Sequence, residues 1–310
     1  MMLECLLMCA LSAGDWPQFR GPNADGHAEG PPTPLVWSET QNVVWKTEIP
    51  GLGWSSTSIV GGRVFLTTAV PRGEGLSLRA LALDAETGHV VWDREVRALE
   101  KTPAIHPKNS HASPTPIVRD GKVYVHFGAQ GMARLSADDG AIEWTCFDFD
   151  YPPVHGNGGT PVLHDGKLVV ACDGSSQPFV VSVDADTGKI AWKTPRSVKA
   201  RLTHSFVTAT VAMVDGQAQV LADAADGISG PFDVALASAG SVLVADTGFN
   251  TLAAGNVATT NGVGGLYYSQ LTYTLPGQGM PSGATPLGLS PSCAKRGRSS
   301  SGRPPASCPS

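Results

Sequence analysis

Apolar and polar positions alternate along this chain in short runs, and turn residues break the runs at regular intervals. In the run after Gly121, Val123, Val125 and Phe127 fall on one side of an extended strand and Tyr124 and His126 on the other. The dipeptide Asp120-Gly121 in front of it reads as a tight hairpin, because a primed turn needs positive φ and glycine takes it without steric cost. Asp165-Gly166 and Asp215-Gly216 repeat that signal, and Gly62 leads into a similar run. Further on, the run 179–183 reaches Asp184-Ala-Asp-Thr-Gly188, where Asp and Thr side chains can bond back to the backbone. The strand that follows carries Trp192. One unit therefore reads as four antiparallel strands in roughly 40–50 residues.

The unit repeats. Asp84-Ala-Glu-Thr-Gly88-His-Val-Val-Trp92 returns as Asp184-Ala-Asp-Thr-Gly188-Lys-Ile-Ala-Trp192, with a looser copy ending at Gly140 and Trp144. The tryptophans are 52 and 48 residues apart, and Trp45 precedes Trp92 by 47. The hairpin glycines 62, 121, 166 and 216 keep the same beat. Four short strands at this period predict an all-β chain, a β-propeller of four-stranded antiparallel blades. Four blades fall near 55–97, 112–149, 158–196 and 205–250. Each Trp is expected to pack between neighbouring blades, burying roughly 150–250 Å².

The Asp-x-x-Thr-Gly-x-x-x-Trp signature resembles the PQQ-type repeat of quinoprotein propellers. The opening Asp15-Trp-Pro-Gln-Phe-Arg-Gly-Pro-Asn23, with Asn42-Val-Val-Trp-Lys46, Gly53-Trp-Ser-Ser56, Asn109-Ser-His-Ala-Ser-Pro-Thr-Pro116 and Cys172-Asp-Gly174, resembles the exported PQQ-like propeller proteins of planctomycete-type bacteria. The resemblance covers about residues 15–222 and implies a ring of seven or eight blades. In such rings the first strand often completes the last blade, which is the expected role of residues 42–49. Beyond Leu221 no Trp occurs, and Gly230–Gly248 resembles one NHL-type propeller repeat, so the ring reads as incomplete or hybrid. An incomplete ring leaves an open blade edge through which copies could associate.

Composition divides the chain further. The formal charge is −5, which removes a basic nucleic-acid footprint as a global property. No stretch approaches 18 consecutive apolar residues, so no spanning helix is expected. The apolar run 5–11 followed by Ser12, Ala13 and Gly14 reads as a signal peptide over 1–14, hence export to the periplasm or cell envelope, although no Lys or Arg precedes it and Glu4 has the wrong sign. Residues 202–294 carry no Lys or Arg, whereas the tail 276–310 holds four basic residues, no acid and 21 Gly, Pro or Ser. That composition predicts a disordered tail. The expected organisation is 1–14 signal, 15–225 PQQ-like blades, 226–275 a divergent β segment and 276–310 the tail.

Candidate chemistry is sparse. Of six cysteines, Cys5 and Cys9 would leave with a signal and Cys293 and Cys308 lie in the tail. Cys146 and Cys172 fall in neighbouring blades, where both a disulfide and two separate thiols are open readings. Asp184-x-Asp186-x-Gly188 looks superficially like a calcium loop but has Gly at the fifth position and Pro195 at the twelfth, so the acids read as turn formers. His106, His111 and His155 sit in loops entering blades. Asn109, His111, His155, Asn157 and Asp173 are the candidate ligand contacts at the channel mouth; the same residues could equally fix loops. No catalytic or metal set assembles from the motifs.

The leading expectation is a non-catalytic, exported propeller that binds a protein partner of the envelope or a small ligand, with no cofactor. The outer-membrane assembly lipoproteins with this repeat are its analogy. The alternative is a quinoprotein dehydrogenase oxidising an alcohol or sugar with PQQ and calcium, for which Asp173, Asn109 and Trp54 are the loop candidates. A truncated product without independent function is the third reading.

Overall fold

The computed structural model describes residues 14–28, 34–174, 178–195, 206, 208–214, 217–221, 231–238, 241–246, 251–257 and 273–274. The signal-peptide expectation (but for Gly14), the tail and the turn 215–216 lie outside the described residues. Strands dominate, and one turn of 3-10 helix at Gly128–Gln130 is the helical content among the described residues.

Three antiparallel sheets follow the predicted unit. The first blade holds β1 (Ser58–Val60), β2 (Arg63–Arg72), β3 (Gly75–Asp84) and β4 (Val90–Leu99) in that spatial order. The second holds β5 (Ile117–Arg119), β6 (Lys122–His126), β7 (Met132–Ser136) and β8 (Ile142–Cys146). The third holds β9 (Val162–His164), β10 (Lys167–Cys172), β11 (Phe179–Asp184) and β12 (Ile190–Pro195). The hairpin turns follow from their residues: Arg119 pairs with Lys122 across Asp120 and Gly121, whose φ values are 51° and 71°. Both signs are those of the primed turn the dipeptide predicts.

The fourth blade departs from its expected outline. β13 (Thr210–Val214) and β14 (Gln217–Leu221) form a two-stranded sheet. β15 (Pro231–Ser238), β16 (Ser241–Asp246), β17 (Thr251–Val257) and β18 (Tyr273–Thr274) form a separate one, with β17 and β18 parallel. Residues 205–250 are thus divided between two sheets. Residues 42–49, expected as a closing strand, pair with no strand among the described residues.

Period-2 alternation places the core between blades. On β6, Val123 and Val125 join Phe65, Leu78, Ala80 and Trp92 of the first blade. Tyr124, of opposite parity, joins Leu168, Val170 and Val181 of the third. Both faces of a blade are therefore buried, and burying each such aliphatic side chain contributes about 1.5–3 kcal/mol. Three of the repeat tryptophans lock onto a blade's turn, whereas Trp192, expected to pack likewise, stays 43% exposed. The indole N–H of Trp45 donates to the Ala85 carbonyl at 2.9 Å, that of Trp92 to Ala137 at 3.0 Å, and that of Trp144 to Ala185 at 3.0 Å. Trp45 thus takes on the first blade the place that Trp92 and Trp144 take on the next two. The first strands lie side by side, β1 beside β5 and β9 beside β13, which brings the loops entering them together.

Candidate functional site

The loops that enter the blades share a position that the repeat did not reveal. Ser56, Thr115, Thr160 and Thr208 each stand two residues before the first strand of a blade. The Thr115 amide donates to the Thr160 hydroxyl at 3.0 Å, and the Thr160 amide to the Thr208 hydroxyl at 3.1 Å. A hydroxyl rung so links the second, third and fourth sheets. Thr115 and Thr160 are each only 3% exposed, so these rungs satisfy amides that water does not reach.

The loop before β5 is fixed by Asn109. Its side-chain amide donates to the carbonyls of His155 (2.9 Å) and Asn157 (3.2 Å) in the next blade's loop. Its side-chain oxygen accepts from the Ser110 amide (2.8 Å) and the Ser113 hydroxyl (2.7 Å). Gly156 packs against it: a Cβ there would lie 2.8 Å from the Asn109 Nδ2. The His106 carbonyl accepts from the Asn109 amide at 2.9 Å, which closes a tight turn over residues 106–109.

A cleft of about 500 Å³ opens over this junction. Its aromatic wall comes from Phe19, Trp54, His106, His155 and Phe206. The His155 ring stacks on Phe206 with centroids 6.3 Å apart and 19° between planes, and meets His106 edge-on at 5.3 Å. Phe19 reaches the cleft because Trp16 bridges to Ile59 of β1 and the Pro17 carbonyl accepts from Val118 of β5. The hydroxyls of Ser56, Thr115, Thr160 and Thr208 and the Lys108 side chain supply its polar wall. No Asp or Glu is among the described residues that line it.

The five expected contacts are split. Asn109 and His155 line the cleft. His111 and Asn157 line a separate cavity of about 130 Å³ beside Tyr151. There His111 Nε2 lies 2.9 Å from the Pro103 carbonyl, and the Tyr151 hydroxyl donates to Asn157 Oδ1 at 2.9 Å. Asp173 lines neither; it is 7% exposed and adds, with burial, to raising the Cys172 thiol and Tyr151 hydroxyl above their usual ranges. Cys146 and Cys172 are buried free thiols, not a disulfide. Phe19 and Ser56 reach the cleft from the motifs at 15–23 and 53–56, which do not themselves mark them as contacts; Thr160 and Thr208 share the Ser/Thr spacing, and Lys108 and Phe206 carry no sequence signal.

The donor set does not fit a calcium–quinone pair. Trp54 offers a flat ring, but Asp173 is not among the residues lining the cleft with it, and the described lining residues include no carboxylate base. Among the described residues no group of three or more His, Cys, Asp or Glu could hold a metal ion. The acidic turns are occupied by their own backbone: Asp184 Oδ1 accepts from the amides of Asp186 (3.2 Å) and Thr187 (3.0 Å) and from the Thr187 hydroxyl (2.9 Å). These bonds, the Thr187 hydroxyl first, hold the Asp184 carboxyl below the usual carboxylate range. No helix among the described residues is long and apolar enough to cross a membrane.

Comparison with known proteins agrees with the repeat. The chain is 26% identical over 168 residues to a polyvinylalcohol dehydrogenase from a Pseudomonas species, spanning 49% of this chain and 24% of that one. A second polyvinylalcohol dehydrogenase, from a Sphingopyxis species, is 24% identical over 48% of this chain and 23% of its own. The chain thus spans about a quarter of the length of these curated relatives. Among solved structures, the quinohemoprotein alcohol dehydrogenase of Comamonas testosteroni aligns at a TM-score of 0.43 and 17% identity, over 61% of this chain and 28% of that one. BamB from Moraxella catarrhalis aligns at 0.28 and 14%, over 64% and 82%. Residues 35–261 match the PQQ_2 family, described as outer membrane protein assembly factor BamB, and the chain belongs to that family.

Proposed function

We propose that this chain is a non-catalytic, exported binding module that holds its ligand or partner in the cleft over the junction of blades. The observation that carries this reading is the cleft itself: about 500 Å³, walled by aromatic rings and hydroxyls, with no carboxylate among its described lining residues. Trp54 leaves 65% of its surface exposed, so a large ring is offered to a ligand, whereas Trp45, Trp92 and Trp144 are drawn into the structure and Trp192 stays 43% exposed. Asn109 is engaged at both ends of its amide in fixing the loop rather than held in reserve for chemistry. Export and a site in the envelope follow the analogy of the family's description as an outer membrane assembly factor.

The test uses the full chain immobilised against an envelope extract, with Trp54→Ala as the control. A partner retained by the native chain and lost by Trp54→Ala supports the reading. Retention of nothing above background, or retention indifferent to Trp54, contradicts it.

The names of the polyvinylalcohol dehydrogenase relatives favour a second reading, oxidation of an alcohol, for which PQQ and calcium are the cofactors the repeat resemblance implies. Reduction of an artificial electron acceptor dye by the chain with alcohol, PQQ and Ca²⁺ would establish it.

A further inference from the structure

We infer that the cleft takes an aromatic monocarboxylate: a single ring carrying one carboxylate, whether a free acid or the C-terminal residue of a peptide. The inference rests on the binding reading above and names the ligand chemistry of that same cleft.

The turn over residues 106–109 supplies the anion contact. The Lys108 backbone amide donates to His106 Nδ1 at 3.1 Å. A ring nitrogen that accepts a hydrogen bond is not the one that donates, so Nε2 is the ring position of His106 left to carry an N–H. That tautomer leaves Nε2–H as a donor. It also argues against a metal ion there, since a ligating imidazole donates its other N–H instead of accepting one. Lys108, on the same turn, is exposed, and among the described residues its ammonium is in no ion pair. A cation and an N–H donor therefore sit two residues apart on a loop that Asn109 holds rigid. The Arg20 guanidinium lies 5.5 Å from the centroid of Phe19, a further ring of the cleft. The molecule as a whole is acidic at −5, yet the described residues of this lining carry no acid, so the local field favours an anion against the global one.

The remainder of the cleft sets the body of the ligand. Trp54, Phe19 and the stacked His155–Phe206 pair offer faces and edges to one planar ring. The hydroxyls of Thr160 and Thr208 already accept backbone amides, and among the described residues Lys108 is the one ammonium on the lining. Arg20 lies against Phe19 and is not among the lining residues, so the single lining ammonium matches one carboxylate.

Calorimetric titration of the full chain at low salt tests this with four probes: phenylacetate, N-acetyl-phenylalanine, N-acetyl-phenylalanine amide and PQQ. We expect at least one of the two acids to bind, and the amide to bind at least tenfold more weakly than N-acetyl-phenylalanine. Lys108→Gln brings the acids down to the level of the amide, while Trp54→Ala weakens acid and amide alike. Both substitutions are at exposed positions that no core contact depends on. Tighter binding of N-acetyl-phenylalanine than of phenylacetate identifies a peptide end as the source, and the reverse order a free acid. Equal affinity for acid and amide, indifference to Lys108→Gln, or binding of PQQ alone would overturn the inference. If an envelope partner is retained through Trp54 while neither acid binds at millimolar concentration, this inference fails and the binding reading stands.

Discussion

Trp92 of the first blade closes on Gly140 of the second: a Cβ built at Gly140, where φ is 71°, would lie 2.7 Å from the indole. Gly88 meets Trp45 and Gly188 meets Trp144 in the same way, at 2.5 and 2.7 Å. The glycine of the Asp-x-x-Thr-Gly turn thus has two reasons to be glycine, a left-handed backbone and an aromatic ring lying against it. Gly140→Ala imposes about 1–2 kcal/mol of backbone cost and forces the indole to move as well. We expect it to lower the midpoint of urea unfolding more than Gly121→Ala, where φ is also 71° but nothing lies within 4 Å of the added methyl. Equal losses would show that the ring contact contributes nothing. Trp92→Ala is expected to cost about 3–5 kcal/mol.

The rung between blades gives a second prediction. Thr160→Val keeps the shape of the side chain but removes the acceptor of the Thr115 amide, which is then buried without a partner. The expected loss is about 1–3 kcal/mol, and Thr160→Ser should restore most of it. Chemical denaturation of the two variants decides the point; equal losses would mean the methyl, not the hydroxyl, matters.

Acid stability separates into two windows. His126 is 1% exposed, neither ring nitrogen makes a well-formed hydrogen bond among the described residues, the Gly131 backbone being a polar influence on it, and it lies edge-on to Phe149 at 5.7 Å. Burial depresses its pKa from 6.5 to about 3. Because the unfolded chain takes up this proton and the folded one does not, stability falls as pH drops below about 6.5, by up to about 1.4 kcal/mol per unit. The turn carboxylates act lower. Asp84 and Asp184 are held below their usual range by Thr87 and Thr187, so their contribution is present above about pH 4 and is lost as pH falls through the depressed values. Urea midpoints measured from pH 7 to 4.5 should decline in the native chain and flatten in His126→Phe. An unchanged slope in that variant would assign the decline to other groups.

Asn109 yields a prediction that separates loop fixing from ligand contact. Asn109→Asp keeps both accepted hydrogen bonds, loses both donated ones and sets a negative charge against the carbonyls of His155 and Asn157. It should therefore destabilise the chain at least as much as Asn109→Ala, by about 1–3 kcal/mol. A neutral effect of Asn109→Asp on unfolding would remove the residue from the loop's support.

The blades were legible because their signals are periodic. Asp-Gly sets a hairpin by its own backbone preference, and Trp at a fixed distance from Thr-Gly marks an outer strand, so each repeat restates both. The cleft is not periodic. Asn109 and His155 could be singled out as loop residues, but which loops meet depends on how first strands align around the junction, and nothing local to Asn109 states that Asn157 turns its side chain toward Tyr151. Asp173 has the look of an exposed loop acid beside Gly174, yet it is buried near Cys172, because the strand it ends is packed on both faces. Ser56, Thr115, Thr160 and Thr208 do keep a fixed offset from the first strand. Their spacing was hidden because a Ser or Thr in a loop carries no pattern until the strand starts are known.

The central claim, binding without oxidation, is tested most directly by one combined measurement on the full chain: thermal unfolding with and without excess PQQ and Ca²⁺, with alcohol-dependent dye reduction followed in the same samples. A ligand present at about 100 times its dissociation constant adds roughly 2.7 kcal/mol, a visible shift. The account predicts a cooperative transition whose midpoint PQQ and Ca²⁺ leave in place, and no dye reduction above the protein-free rate. A raised midpoint together with dye reduction would contradict it and make the chain a dehydrogenase.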